Sequence, residues 1–189
     1  MKEYVNLANA LTSGSLAAGF LALFLIFQLN NLFAAAGLVT LAAVFDGLDG
    51  LVARHTGDDG EFGGNLDSLA DVVSFGAVPA FALYWGSLYP LTIVGLVACL
   101  VFFLCGAWRL ARFSLLKNPL YFVGCPIPFA GVLVALLAVM KPHPLLALPV
   151  VLLLGILMVS THPFPTLSGL RNREELSQEV EEYRQARRA

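Results

Sequence analysis

Charge is what this 189-residue chain has least of: Asp, Glu, Lys and Arg together make up 13% of it, against 58% hydrophobic residues. Tyr4 to Phe45, Val72 to Trp108, Asn118 to Met140 and Pro142 to Leu170 contain none of the four. Such runs exclude a soluble globular domain, and a mean hydropathy of +0.79 points to an integral membrane protein. Cysteine is scarce as well. Cys99, Cys105 and Cys125 are odd in number, show no CxxC spacing and lie in or beside apolar segments, so neither a disulfide nor a zinc site is expected. Ala34-Ala35-Ala36 resembles a leader cleavage site, but the single Lys2 ahead of a long apolar run, with more spans behind it, argues for a retained first span.

A helical span needs roughly 20 apolar residues, so each of the two longest uncharged runs holds a hairpin. The breaks fall at Asn30-Asn31 and at Trp85 to Pro90. Spans are expected near residues 9–27, 34–53, 62–84, 91–113, 128–140 and 145–160, with a bend at Gly76 and Pro79. The expected fold is an all-α integral membrane bundle of six transmembrane helices over residues 1–165. A charged tail, 166–189, follows, and Leu176, Val180 and Tyr183 give it the spacing of an amphipathic helix. Six spans leave both termini on one side. That side receives Lys2, Arg54, Arg109, Arg112, Lys117 and the tail's arginines, while the other receives Lys141 alone. The asymmetry predicts cytoplasmic termini.

Against this apolar background stands Asp46 to Asp71, DGLDGLVARHTGDDGEFGGNLDSLAD. Ionisable groups at membrane depth are costly and mark functional sites. Helical spacing puts Asp46, Asp49, Gly50, Ala53 and Arg54 on one face of the second span. Asp67 and Asp71 share a face of the third, with Gly63 one turn earlier, and the short turn between the spans lets the two pairs converge. Four carboxylates in a partly dehydrated site need compensation, and Arg54, Arg109 and Arg112 are too few. Hard divalent cations suit an all-oxygen ligand set, and a two-metal arrangement suits phosphate chemistry. Gly50 and Gly63 leave room for a bulky ligand, and Arg54 offers an anion contact. His55 reads as interfacial, Asp58, Asp59 and Glu61 as solvated turn residues, and His143 and His162 fall at opposite faces. A charged rim paired with arginines, a cation transporter and an intramembrane prenyltransferase are the competing readings.

Asp46-x-x-Asp49-Gly50-x-x-Ala53-Arg54, eight residues, then Gly63-x-x-x-Asp67-x-x-x-Asp71 resembles the signature of the CDP-alcohol phosphotransferases at every fixed position. These enzymes move a substituted phosphoryl group from a CDP-linked donor to an alcohol and release CMP. The resemblance implies that Asp46, Asp49, Asp67 and Asp71 bind metal, two ions of Mg²⁺ or Mn²⁺, with Asp71 also the catalytic base. It places Asp49, Gly50, Ala53, Arg54, Gly63 and Ser68 at the CDP site. Asn9-Ala10-Leu11-Thr12 resembles the family's Asn-x-x-Thr element, which brings Asn9 and Thr12 to the cytidine or its phosphates; helix capping is the other use for either residue.

Gly106-Ala107-Trp108-Arg109-Leu110-Ala111-Arg112-Phe113-Ser114 and the later Gly124-Cys125-Pro126-Ile127-Pro128 resemble segments of the bacterial and archaeal phosphatidylserine synthases. Ser114 and Cys125 depart from the Asn and Leu of that pattern. Arg109 and Arg112, at i and i+3, face one way, and arginine forks suit carboxylates and phosphates. The resemblance therefore implies transfer from CDP-diacylglycerol to L-serine, with Arg109 and Arg112 at the acceptor; glycerol phosphate, an inositol phosphate or an archaeal lipid donor are its variants. The expected setting is the cytoplasmic face of the cell membrane, as a homodimer in the bilayer, with no nucleic-acid partner.

Overall fold

The computed structural model describes residues 6–56, 60–113, 121–160 and 163–165. Among the described residues six helices carry the architecture: α1 Leu7–Leu29, α2 Leu32–Thr56, α3 Glu61–Leu91, α4 Ile93–Phe113, α5 Ile127–Met140 and α6 Pro144–Val159. The first four are long and apolar enough to cross a membrane, whereas α5 and α6, at 14 and 16 residues, are apolar but shorter. The chain is a multi-pass membrane protein. One small departure from an all-α bundle occurs where loops were expected: Tyr121–Val123 (β1) and Pro163–Pro165 (β2) pair antiparallel. The expected tail helix, the turn residues Asp58 and Asp59, and Lys117 and His162 lie outside the described residues.

Turn chemistry explains the path. Asn30 closes α1 in the left-handed region, φ 47°, a conformation asparagine tolerates, and Asn31 starts α2 by accepting from the Ala34 N–H at 3.0 Å. Thr92 and Lys141 close the turns after α3 and α5, also at positive φ. These three turns lie at one end of the bundle. The aspartates lie at the other, with the first described turn of α1 and the last of α6.

Helix α3 is the hub, in contact with each of the other five. Its regular winding widens into π turns over Val72–Ala77 and again over Tyr84–Leu88. The first lies where Gly76 and Pro79 predict a bend: Pro79 has no N–H for the Phe75 carbonyl, and that carbonyl instead faces Gly131 of α5, with 2.6 Å between it and the place a Cβ would take. The second π turn replaces an expected break. Trp85-Gly86-Ser87-Leu88 stays helical because Gly86 meets the Ala138 carbonyl of α5, 2.8 Å from a would-be Cβ. Around this hub Phe75, Leu83, Leu88, Phe102, Ile127, Val134, Val151 and Met158 form a core sealed from surroundings, while exposed Phe20, Phe33, Leu100, Leu133 and Leu153 face outward, as expected where lipid is the solvent.

Candidate active site

The aspartate-bearing ends of α2 and α3 meet the start of α1. Asn6 caps α1, its side chain accepting from the Asn9 N–H at 2.7 Å, so Asn9 and Thr12 are spared that task. Thr12 instead donates its hydroxyl across to α2, to Asp49 Oδ2 at 2.5 Å, and lies 3.1 Å from the Ala8 carbonyl of its own helix. Asn9 faces α3 where Gly63 permits close approach; a Cβ there would lie 3.0 Å from Asn9 Oδ1. Further along the same two helices, Ser74 donates to the Ser15 carbonyl at 3.0 Å, and Gly19 abuts Ser74. Small and polar residues thus hold α1 and α3 together along a buried seam that ends at the carboxylates.

Asp46, Asp49 and Asp67 offer ligand oxygens that all lie within 4.8 Å of one another. Asp46 is also in side-chain contact with Asp71. Asp49 and Asp71 are each only 6% exposed, and Asp71 Oδ1 has no hydrogen-bonding partner among the described residues. A buried oxygen left that way is expensive unless a cation, substrate or proton completes it. Arg109 of α4, 7% exposed, reaches the same region and lies within electrostatic range of Asp71 and Asp46. One buried arginine cannot balance four carboxylates. The donor set is all oxygen, suits a hard divalent cation, and includes no His or Cys, which zinc would favour.

Beside the carboxylates opens a cleft of about 140 Å³, lined among others by Asn9, Thr12, Asp49, Gly50, Ala53 and Gly63. Of the residues expected at a CDP site, these six meet there. Two others turn elsewhere: Arg54 is exposed, its Nε donating to the Gly50 carbonyl at 2.9 Å, and Ser68 donates to the Gly64 carbonyl at 3.0 Å. Ala8, Gly60 and Gly64 also line the cleft. Small residues carry no chemical signature, but the spacing of Gly60, Gly63 and Gly64 puts all three on one helical face, the pattern that could have identified them. His55 is exposed and outside the carboxylate cluster. Arg109 and Arg112 part company: Arg109 turns to the aspartates, Arg112 to the end of α6, where its Nη1 and Nη2 donate to the Val159 and Ser160 carbonyls, each at 3.1 Å.

The family model described as CDP-alcohol phosphatidyltransferase matches residues 5–164. A CDP-diacylglycerol–serine O-phosphatidyltransferase of Methanocaldococcus jannaschii is 39% identical over 165 residues, 87% of this chain and 73% of the relative. One from Helicobacter pylori is 37% identical over 174 residues, 86% and 73% of the two chains. The archaetidylserine synthase of Methanothermobacter thermautotrophicus is 36% identical over 175 residues, 89% and 73%. With a match from before α1 to β2, and four carboxylates brought together from the two helices that carry the signature, the chain belongs to the CDP-alcohol phosphatidyltransferase family.

Proposed function

We propose that this protein transfers the phosphatidyl group of CDP-diacylglycerol to L-serine, giving phosphatidylserine and CMP. The observation that carries the reading is the convergence of Asp46, Asp49 and Asp67 with buried Asp71 and Arg109 beside a cleft that small residues keep open. Names of the relatives support serine as acceptor. An archaetidyl donor is the second reading, favoured by the archaetidylserine synthase among them.

Asp46, Asp49, Asp67 and Asp71 would hold two divalent ions, Mg²⁺ or Mn²⁺, which when bound neutralise the donor's pyrophosphate and the charge that develops on CMP. Thr12 holds one Asp49 oxygen and so fixes the direction of the other. Asn9, Gly50, Ala53 and Gly63 receive the cytidine and its phosphates, with Arg54 and Ser68 at the rim. Arg109 binds the serine carboxylate, a group that glycerol phosphate and inositol phosphate lack. Asp71 Oδ1 accepts the serine hydroxyl proton as that oxygen attacks the lipid-side phosphorus; the bond to the bridging oxygen breaks, and CMP leaves with that oxygen. The donor's acyl chains stay in the bilayer throughout.

Topology follows the same reading. Asp67 and Trp85 are separated by about 27 Å of helix, close to the roughly 30 Å of a hydrocarbon core. Exposed Trp85 and Tyr89 then mark one interface and the aspartates the other. Six spans, cytoplasmic termini and a cytoplasmic active site in a homodimer complete the proposal, with basic residues concentrated at the aspartate end. An acceptor screen with CDP-diacylglycerol labelled in its lipid part tests it: serine should give labelled phosphatidylserine, and a product formed only with glycerol phosphate or an inositol phosphate would sink the serine assignment.

A further inference from the structure

Arg112 holds the last carbonyls of α6, which have no helical N–H to receive and stand at the negative end of the helix dipole. Its planar fork spans two of them, which a lysine ammonium cannot copy. The chain returning from β1 passes against this fork. Gly124 there has φ +87°, and a Cβ on it would lie 3.1 Å from Arg112 Nη2 and run into the Met158 carbonyl. The next N–H, of Cys125, donates to the Leu157 carbonyl at 3.0 Å, and β1 pairs with β2 just beyond α6. Cys125 is thereby buried at 4% exposure and lies within electrostatic range of Arg109. Two residues on, Ile127 fills the space above Gly106, one turn before Arg109 on α4.

We propose that Arg112 is a positioning residue. By clamping the end of α6 and, with Gly124, the return segment that carries Cys125, it fixes Arg109 over the aspartates and sets acceptor affinity without touching the acceptor. The inference rests on the reading of Arg109 as the partner of the serine carboxylate. It explains why two arginines one turn apart end on different partners.

Full-length protein with Cys99→Ala and Cys105→Ala leaves Cys125 as the sole thiol for a maleimide. In that background Arg112→Lys, which keeps the charge but loses the fork, and Gly124→Ala should each speed Cys125 labelling. Both should raise the serine KM by roughly 10- to 100-fold, the scale of an ångström-sized misplacement, with the CDP-diacylglycerol KM unchanged. The double variant should be little worse than the worse single one, because both act on one clamp. If Arg112→Lys raises the serine KM while Cys125 stays protected and Gly124→Ala leaves that KM alone, Arg112 is an acceptor ligand and the inference falls. A parallel rise in both KM values with a lowered Tm would reduce it to general stability and overturn it too. Should the parent protein form no serine product, the acceptor reading has failed, and the labelling comparison decides the clamp: unchanged Cys125 protection in Arg112→Lys contradicts it.

Discussion

At one end of α3 stand Asp67 and Asp71; at the other stand Tyr84, Trp85 and Tyr89, and their surroundings differ as much as the residues. The aspartate end borders a cleft of about 140 Å³ floored by glycines and rimmed by carboxylates. The aromatic end borders a larger hollow, about 290 Å³, walled by Phe27, Phe81, Tyr84, Trp85, Leu100 and Phe103. Its rings pack edge to face, Phe27 on Phe81 at 5.4 Å and Trp85 tilted on Tyr89 at 5.5 Å between centroids. Volume alone would pick the wrong end. What separates the two is the cost of leaving them empty: apolar walls in a bilayer are solvated by lipid, whereas buried carboxylates demand a partner.

The comparison can be broken from either side. Removing divalent metal with a chelator should abolish CMP release altogether, and adding Mg²⁺ or Mn²⁺ should restore it; metal-independent turnover would separate the carboxylates from the chemistry. Asp71→Asn should lower turnover by about 10²- to 10⁴-fold even at saturating metal, the usual contribution of a positioned base. Thr12→Val should cost roughly 10- to 100-fold in kcat/KM, since it removes a hydrogen bond of about 1.5–3 kcal/mol to a charged group. At the aromatic end Gly86→Ala should leave turnover per folded molecule unchanged but destabilise by about 1–3 kcal/mol, the range for overpacking, seen as a lower Tm. Trp85→Ala should have the smallest effect, leaving CMP release intact; a large loss there would mean that the two ends are coupled.

Much of this division was legible in the sequence, for stated reasons. Uncharged runs bounded by Asn30-Asn31 became helices because asparagine both tolerates positive φ and caps. The carboxylates converged because spacing of three and four residues is a face of a helix. Other features were hidden. Gly86 looks like a turn residue, yet it is a packing glycine, and nothing local distinguishes a glycine that frees the backbone from one that admits a neighbouring carbonyl. Pairing of β1 with β2 joins segments some forty residues apart, whose own composition carries no strand signal. Arg109 and Arg112 share a face by spacing, but long side chains diverge from a common face, and their ends are set by tertiary partners. Ala8, Gly60 and Gly64 contribute space rather than chemistry.

The central claim is that carboxylates from α2 and α3 run a metal-dependent transfer from a CDP-linked lipid to serine. Purified protein incubated with CDP-diacylglycerol, with and without L-serine and with and without Mg²⁺, tests it in four arms. CMP should be released at speed only when both serine and the metal are present. Equal release without serine would remove serine as acceptor, and release without metal would contradict the account at its centre.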